Sequence, residues 1–283
     1  MTRTTATLVG FIAVLLWALL ALFTVGSAPV PPLLLNALCF AIGGTIGMIW
    51  AAVTGQITAL ARVPLHVYAF GTLGLFGYHA LYFSALRLAP AAEAGLIAYL
   101  WPLLIVLMSG LLPGELLRRG HILGGLIGFA GAAVIVGAGL SGVQAEAAPG
   151  YALALLCAFT WSAYSVMSRR FGTVPTAAVA VFCLATSALS YGLHLMFETP
   201  AWPETSLGWA SVIGLGLGPV GLAFYVWDIG VKRGNIQLLG VLSYAAPLLS
   251  TLVLVAAGIA PLTVSLALAA LLITGGAYIA ARA

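Results

Sequence analysis

Apolar residues in this chain do not alternate with polar ones; they run in blocks of roughly twenty, the length at which a helix crosses a bilayer. Ten such spans are predicted, at about 8–27, 33–53, 66–88, 91–112, 121–140, 150–168, 176–197, 207–230, 236–257 and 262–281. The connections are too short for a folded soluble domain. The first block exceeds the roughly 7–15-residue core of a secretion signal, and only Arg3 precedes it, so it is read as a span of the mature chain. Most of the 14 prolines punctuate block ends, but Pro102, Pro219 and Pro247 lie inside spans 4, 8 and 9. There each removes a backbone donor and should bend its helix, making these three the candidate hinges.

One stretch breaks the apolar monotony. Between Tyr78 and Leu112, two spans joined by a turn at Leu88-Ala89-Pro90 carry Tyr78, His79, Tyr82, Tyr99 and Trp101 near mid-depth. Helical spacing puts Tyr78, His79 and Tyr82 on one side of span 3. In span 6, Trp161, Tyr164, Ser165 and Ser168 share another face, and in span 1 Trp17 aligns with Thr24. Tryptophan usually sits at the membrane interface. Trp50, Trp202, Trp209 and Trp227 fit that belt, whereas Trp17, Trp101 and Trp161 fall near their span centres. Packing between helices would account for a central indole. Its N–H nevertheless needs a partner there, which favours the lining of a cavity.

Composition then fixes the class. With 63% hydrophobic and 6% charged residues and a mean hydropathy of +1.17, the chain carries far less charge than the roughly 25% of soluble domains. It reads as an all-α integral membrane protein. The net charge of +4 lies in loops and speaks for topology, not nucleic-acid binding. In a ten-span topology Arg3, Arg62, Arg118, Arg119, Arg169, Arg170, Lys232, Arg233 and Arg282 share one side, and Arg87 lies on the other. The positive-inside rule then places both termini in the cytoplasm. Cys39, Cys157 and Cys183 lie in apolar segments and read as small buried hydrophobes. No spacing suggests a metal site, and no cofactor is implied.

Shifted by about 144–145 positions, the chain overlays on itself. Leu16-Trp17-Ala18 meets Thr160-Trp161-Ser162, and Tyr99-Leu100-Trp101-Pro102 meets Tyr244-Ala245-Ala246-Pro247. Arg87 meets Lys232. The halves, 1–145 and 146–283, each hold five spans, an odd number, so the second must enter the membrane inverted. Inverted repeats with a midplane site are a common plan of secondary transporters working by alternating access. Tyr99 and Tyr244 should face each other across the pseudo-two-fold axis. The candidate substrate-binding residues are therefore Trp17, Tyr78, His79, Tyr82, Tyr99, Trp101, Trp161, Tyr164 and Tyr244. Such a cavity suits a ring-bearing zwitterion: donors such as His79 and the Tyr and Trp edges for a carboxylate, and an aromatic face for an ammonium.

Other chemistry is thin. The deep spans hold one histidine, His79, and no acid pair, so no catalytic set is predicted. A phosphate-binding G-x-x-x-x-G-K-[ST] loop is missing. Asp228 and Lys232 read as an i,i+4 pair, Glu93 as an anion at a helix start, and His66, His121 and His194 as interfacial. Gly43/Gly47, Gly124/Gly128 and Gly214/Gly218 have the spacing that lets helices approach closely.

Several features together carry a resemblance: Trp in spans 1 and 6, Arg87-Leu-Ala-Pro-Ala-Ala-Glu-Ala94, Tyr-x-x-Pro in spans 4 and 9, and Gly114-Glu115 before Gly124-Gly125-x-x-Gly128. The chain resembles the EamA-type drug/metabolite transporter superfamily over essentially its whole length. It departs where Ile259-Ala260 replaces the Gly-Glu pair, so no mechanistic role is assigned to Glu115. The resemblance implies two five-helix halves in a bacterial inner membrane, a monomer or homodimer among lipids, and a small-molecule substrate. The aromatic-rich centre is most similar to superfamily members that export aromatic and other neutral amino acids. Another small metabolite or drug as cargo is the alternative, and a channel a further one.

Overall fold

The computed structural model describes residues 1–137, 140, 142 and 144–283, so the expected end of span 5 at 138–139 lies outside the described residues. The long helices are α1 (Arg3–Gly26), α2 (Pro32–Val53), α3 (Leu65–Leu88), α4 (Ala91–Ser109), α5 (Arg119–Val136), α6 (Ala148–Arg170), α7 (Ala178–Phe197), α8 (Ser206–Arg233), α9 (Ile236–Ala256) and α10 (Val264–Ala281). Their bounds follow the apolar blocks closely. Among the described residues, nine helices are long and apolar enough to cross a membrane. The expected span at 66–88 is not among the nine. As α3 it is 24 residues long, but His66, Tyr68, Tyr78, His79, Tyr82, Ser84 and Arg87 lower its hydropathy.

Helix starts are written locally. Thr2, Thr205, Asn235 and Thr263 each accept a bond from the backbone N–H three residues on, at 3.1, 3.1, 3.1 and 3.3 Å. These caps satisfy donors that would otherwise be orphaned at a helix start. The start of α2 is capped from a distance. The Glu198 carboxylate accepts from Leu33 N–H at 2.9 Å and Leu34 N–H at 3.1 Å, placing an anion on the positive end of the helix. His194, expected near the interface, is instead 1% exposed, with Nδ1 3.0 Å from Glu198.

Three of the helices are interrupted at or beside a proline. In α4, helix stops at Ala98 and restarts at Trp101, with Pro102 in the new first turn. Chain α9 repeats this between Leu242 and Ala245, just before Pro247. At Pro219, α8 widens into a π-helical turn over Gly218–Leu222. Proline and π-turns are recognised causes of such kinks. A fourth interruption, in α1 between Trp17 and Leu20, has no proline or glycine to cause it. It separates Trp17 from Thr24, which end on different segments.

The helices pack with two-fold regularity. Helix α5 lies along α10 and α2 along α7, while α3 pairs with α6 as α8 does with α1. Exchanging the first five helices for the last five maps these pairings onto themselves. Two crossings bring backbones together. A β-carbon on Gly230 would lie 2.5 Å from Gly10 Cα, and one on Gly124 would lie 2.5 Å from Gly276 O. Small residues permit such approach, and tight packing drives helix association in lipid. Gly230→Ala should therefore lower stability by about 1–3 kcal/mol through overpacking, read as an earlier thermal unfolding of detergent-purified protein. Gly192→Ala, at a position open to its surroundings, should show no such loss.

Candidate functional site

Four indoles from four helices meet at the centre: Trp17 of α1, Trp101 of α4, Trp161 of α6 and Trp227 of α8. Their ring centroids are 6.0 Å apart for Trp17–Trp101 and Trp17–Trp161, and 5.1 Å for Trp17–Trp227. Trp101 lies 6.3 Å from Trp161 and 5.8 Å from Trp227, and Trp161 and Trp227 stack at 6.1 Å. Every pair is in the range where edge-to-face and offset contacts are favourable. Trp17 donates its indole N–H to Pro219 O at 3.1 Å, a carbonyl within the widened turn of α8. Trp227 donates to Ser165 Oγ at 3.1 Å. Ser162 Oγ donates to Trp101 O at 2.9 Å and to Ala158 O at 2.7 Å, tying the break in α4 to α6.

A second aromatic row continues from this centre. Tyr78 contacts Trp161 at 5.5 Å and stacks on Tyr82 at 6.1 Å. His79 meets Phe40 edge-on at 5.1 Å, and Phe40 stacks on Phe224 at 5.4 Å. Exposure changes along the row. Trp227 is 1% exposed and Tyr164 2%, whereas Trp17, Tyr78, His79, Tyr82 and Tyr99 are half-buried.

His79 Nδ1 lies 2.7 Å from Leu75 O. A carbonyl can only accept, so Nδ1 carries the proton, and the neutral ring's Nε2 is left as an acceptor. In this arrangement His79 can donate to a carboxylate only if Nε2 is protonated as well.

The structure brings together Trp17, Trp101, Trp161, Tyr164, Tyr78, His79 and Tyr82. Tyr99, half-buried, closes the first segment of α4. Tyr244 lies in a separate cluster with Ala132, Leu248 and Ile273. Its ring contacts Phe129 at 6.2 Å, and its hydroxyl accepts from Leu103 N–H at 3.1 Å, a donor exposed by the break in α4. The expected Tyr99–Tyr244 apposition is not among the ring contacts of the described residues. Trp227 corrects the belt assignment: it is 1% exposed and packs at the aromatic centre, and the charges beside it are buried as well. Asp228 is 2% exposed and pairs with Lys232 at 2.9 Å. Phe224 and Phe40 are the other central residues that sequence reasoning missed, whereas helical spacing already places Ser165 on the face of Trp161. The signal was present in the repeat, since a shift of 145 sets Phe224 opposite His79 and Trp227 opposite Tyr82. Among the described residues no group of histidine, cysteine and acidic side chains could hold a metal ion.

The helical pairing and the buried aromatic centre describe a membrane carrier with two similar halves. The EamA-like transporter family model matches residues 4–137 and again 148–282, and the chain belongs to that family. It is a transporter and a multi-pass membrane protein. The chain is 57% identical over 282 residues to the aromatic amino acid exporter YddG of Ancylobacter novellus, covering 99% of this chain and 98% of that protein. Its identity to the protein of the same name from Escherichia coli K12 is 26%, covering 99% and 97%. A solved crystal structure superposes with a TM-score of 0.95 at 56% identity, over 99% of this chain and 98% of that one.

Tyr244→Phe removes the hydroxyl bound to Leu103 N–H. It should cost about 1 kcal/mol, seen as a lower unfolding temperature in detergent.

Proposed function

We propose that the protein exports neutral amino acids, aromatic ones above all, across a bacterial inner membrane by alternating access. The observation that carries this is the half-buried row of Trp17, Tyr78, His79, Tyr82 and Tyr99 over a floor of packed indoles. The row offers flat apolar faces with polar edges, the chemistry that suits a ring-bearing solute. Relatives named as aromatic amino acid exporters over almost the full chain support the same substrate class.

In this reading ten spans form two inverted five-helix halves, 1–145 and 146–283, with both termini in the cytoplasm. The two-fold helix pairing supports the repeat, and the Arg/Lys asymmetry supports the orientation. Trp17, Tyr78, His79, Tyr82, Tyr99, Trp101, Trp161 and Tyr164 line or underlie the substrate site. Tyr244 supports it from behind, through the backbone of α4. Pro102, Pro219 and Pro247 serve as hinges at helix interruptions. The substrate ammonium faces His79 Nε2 and the tyrosine rings, where an acceptor and π-faces meet. Its carboxylate takes donors from tyrosine hydroxyls, because the Trp17 and Trp227 N–H groups are already committed within the protein.

Purified protein in liposomes should carry phenylalanine and tryptophan with saturable kinetics and no unitary currents. Trp101→Ala should raise the KM by up to about tenfold, the value of one or two aromatic contacts. N-acetylphenylalanine, lacking the ammonium, should compete poorly. Absence of saturable flux for any neutral amino acid would refute the substrate assignment, and unitary currents would make the protein a channel.

A further inference from the structure

The end of the molecule carrying Arg3, Arg169 and Arg170 holds a charge cluster that the aromatic site does not use. Leu112-Pro113-Gly114-Glu115 forms a tight turn in which Glu115 N–H donates to Leu112 O at 3.3 Å. Gly114 has φ +79°, which with Pro113 before it is the signature of a type II turn. The turn delivers the Glu115 carboxylate, 7% exposed, between two arginines: Arg3 at 2.8 Å, and Arg169 through a close contact. Arg169 also donates to Val231 O and Gly234 O, both at 2.9 Å, at the final turn of α8. One carboxylate and one guanidinium thus tie α1 and the α4–α5 turn to α6 and α8.

This seal continues inward. Thr176 donates to Asp228 Oδ2 at 2.7 Å, and Lys232 to Val174 O at 3.0 Å. Beyond them lies Trp227, the buried floor of the aromatic centre. A hollow of about 470 Å³, lined by Leu112, Pro113, Arg169 and Arg170, opens on the outside of the cluster.

Among the described residues the repeat-related turn at the opposite end carries no such pair, and the ion pair found at that end, Arg87–Glu198, is long at 3.5 Å with Arg87 exposed. Gly258 has φ +72° and keeps the repeat-related turn, but the next residue is Ile259, 54% exposed. A shift of 144 sets Arg169 opposite Val25, 60% exposed. The scaffold of the turn is therefore duplicated and its charge is not. Exposure agrees with this one-sided closure: Trp227 and Tyr164 are sealed, while Tyr78, His79, Tyr82 and Tyr99 on the other side of the floor are half-buried.

We infer that the Glu115–Arg169 pair is the clasp of an inner gate, with Arg3 as an outer support and Trp227 as the floor. The clasp is closed in this structure and must part before the site opens to the arginine-rich face. This rests on the alternating-access reading, but its test needs no substrate. Removing either partner should favour the opposite opening, because it removes an interaction made only in the closed state.

The test uses full-length protein in vesicles of known orientation, with Cys39, Cys157 and Cys183 replaced by alanine and Tyr82→Cys as reporter. A membrane-impermeant maleimide is applied from either side. With the clasp intact, labelling should come from the side of Val25 and Ile259. Glu115→Gln and Arg169→Gln should each raise labelling from the arginine-rich side about tenfold and slow it from the other. The double variant should go no further than the stronger single one, as one interaction is lost either way. Arg169→Lys, which keeps the charge but not the fork, should fall between and serves if a glutamine variant fails to fold. Arg3→Gln should change labelling less than about twofold, as expected for an exposed partner. Unchanged sidedness in variants that elute as folded protein would overturn the gate, and so would multiplicative effects in the double variant. Absence of saturable amino-acid flux in protein that keeps Tyr82, with the sidedness shift intact in the reporter variants, would instead refute the substrate reading alone.

Discussion

A bilayer supplies no water to an indole N–H, so four tryptophans at one point inside a membrane protein impose conditions on everything around them. Trp17 meets its condition through Pro219 O, which is free to accept because α8 loosens into a π-turn there. That contact also gives the break in α1 a physical setting: the helix stops at the tryptophan, opposite the widened turn. Trp227 finds Ser165, and Trp101 is held through its carbonyl by Ser162. The backbones of α1 and α8 must then run close together, which is what Gly10 and Gly230 allow. Stability and site geometry here come from the same few contacts.

Much of the architecture was legible because lipid leaves little choice. A block of apolar residues must become a helix, and its length and prolines set its ends; the expected span at 33–53 appears as Pro32–Val53, and the turn at Leu88-Ala89-Pro90 is where it was placed. The Asp228–Lys232 pair followed from spacing alone. What escaped was whatever depends on a partner helix. The break after Trp17 has no local cause. Trp227 looked interfacial because it lies away from the centre of its span, yet it packs among the central indoles and the charges beside it pair inside the protein. Tyr244 looked like a cavity residue by symmetry with Tyr99, and only the packing of α5 and α10 around it reveals its support of Leu103. The proton on His79 Nδ1 is placed by one carbonyl, Leu75 O, which residue type alone does not reveal.

The two halves share a scaffold but divide the chemistry. Helix pairings, the interruptions at Tyr99–Leu100 and Ser243–Tyr244, and the left-handed glycines at 114 and 258 are duplicated. His79 against Phe224, Trp101 against Ala246 and Glu115 against Ile259 are not. Two identical halves would give mirror-related openings of equal energy, and no contact could distinguish one face from the other. Features common to both halves therefore accompany the bending of the helices, while the unmatched side chains are where the two halves differ in chemistry. The ion pairs follow that division. Glu198 sits on the α2 helix start and within 3.5 Å of exposed Arg87, an anchor within its own end of the bundle. Glu115 joins segments of both halves. Glu198 also spans the halves, from the end of α7 to α2 and Arg87, and a contact between halves stores a free-energy difference between their arrangements only if it breaks as they move.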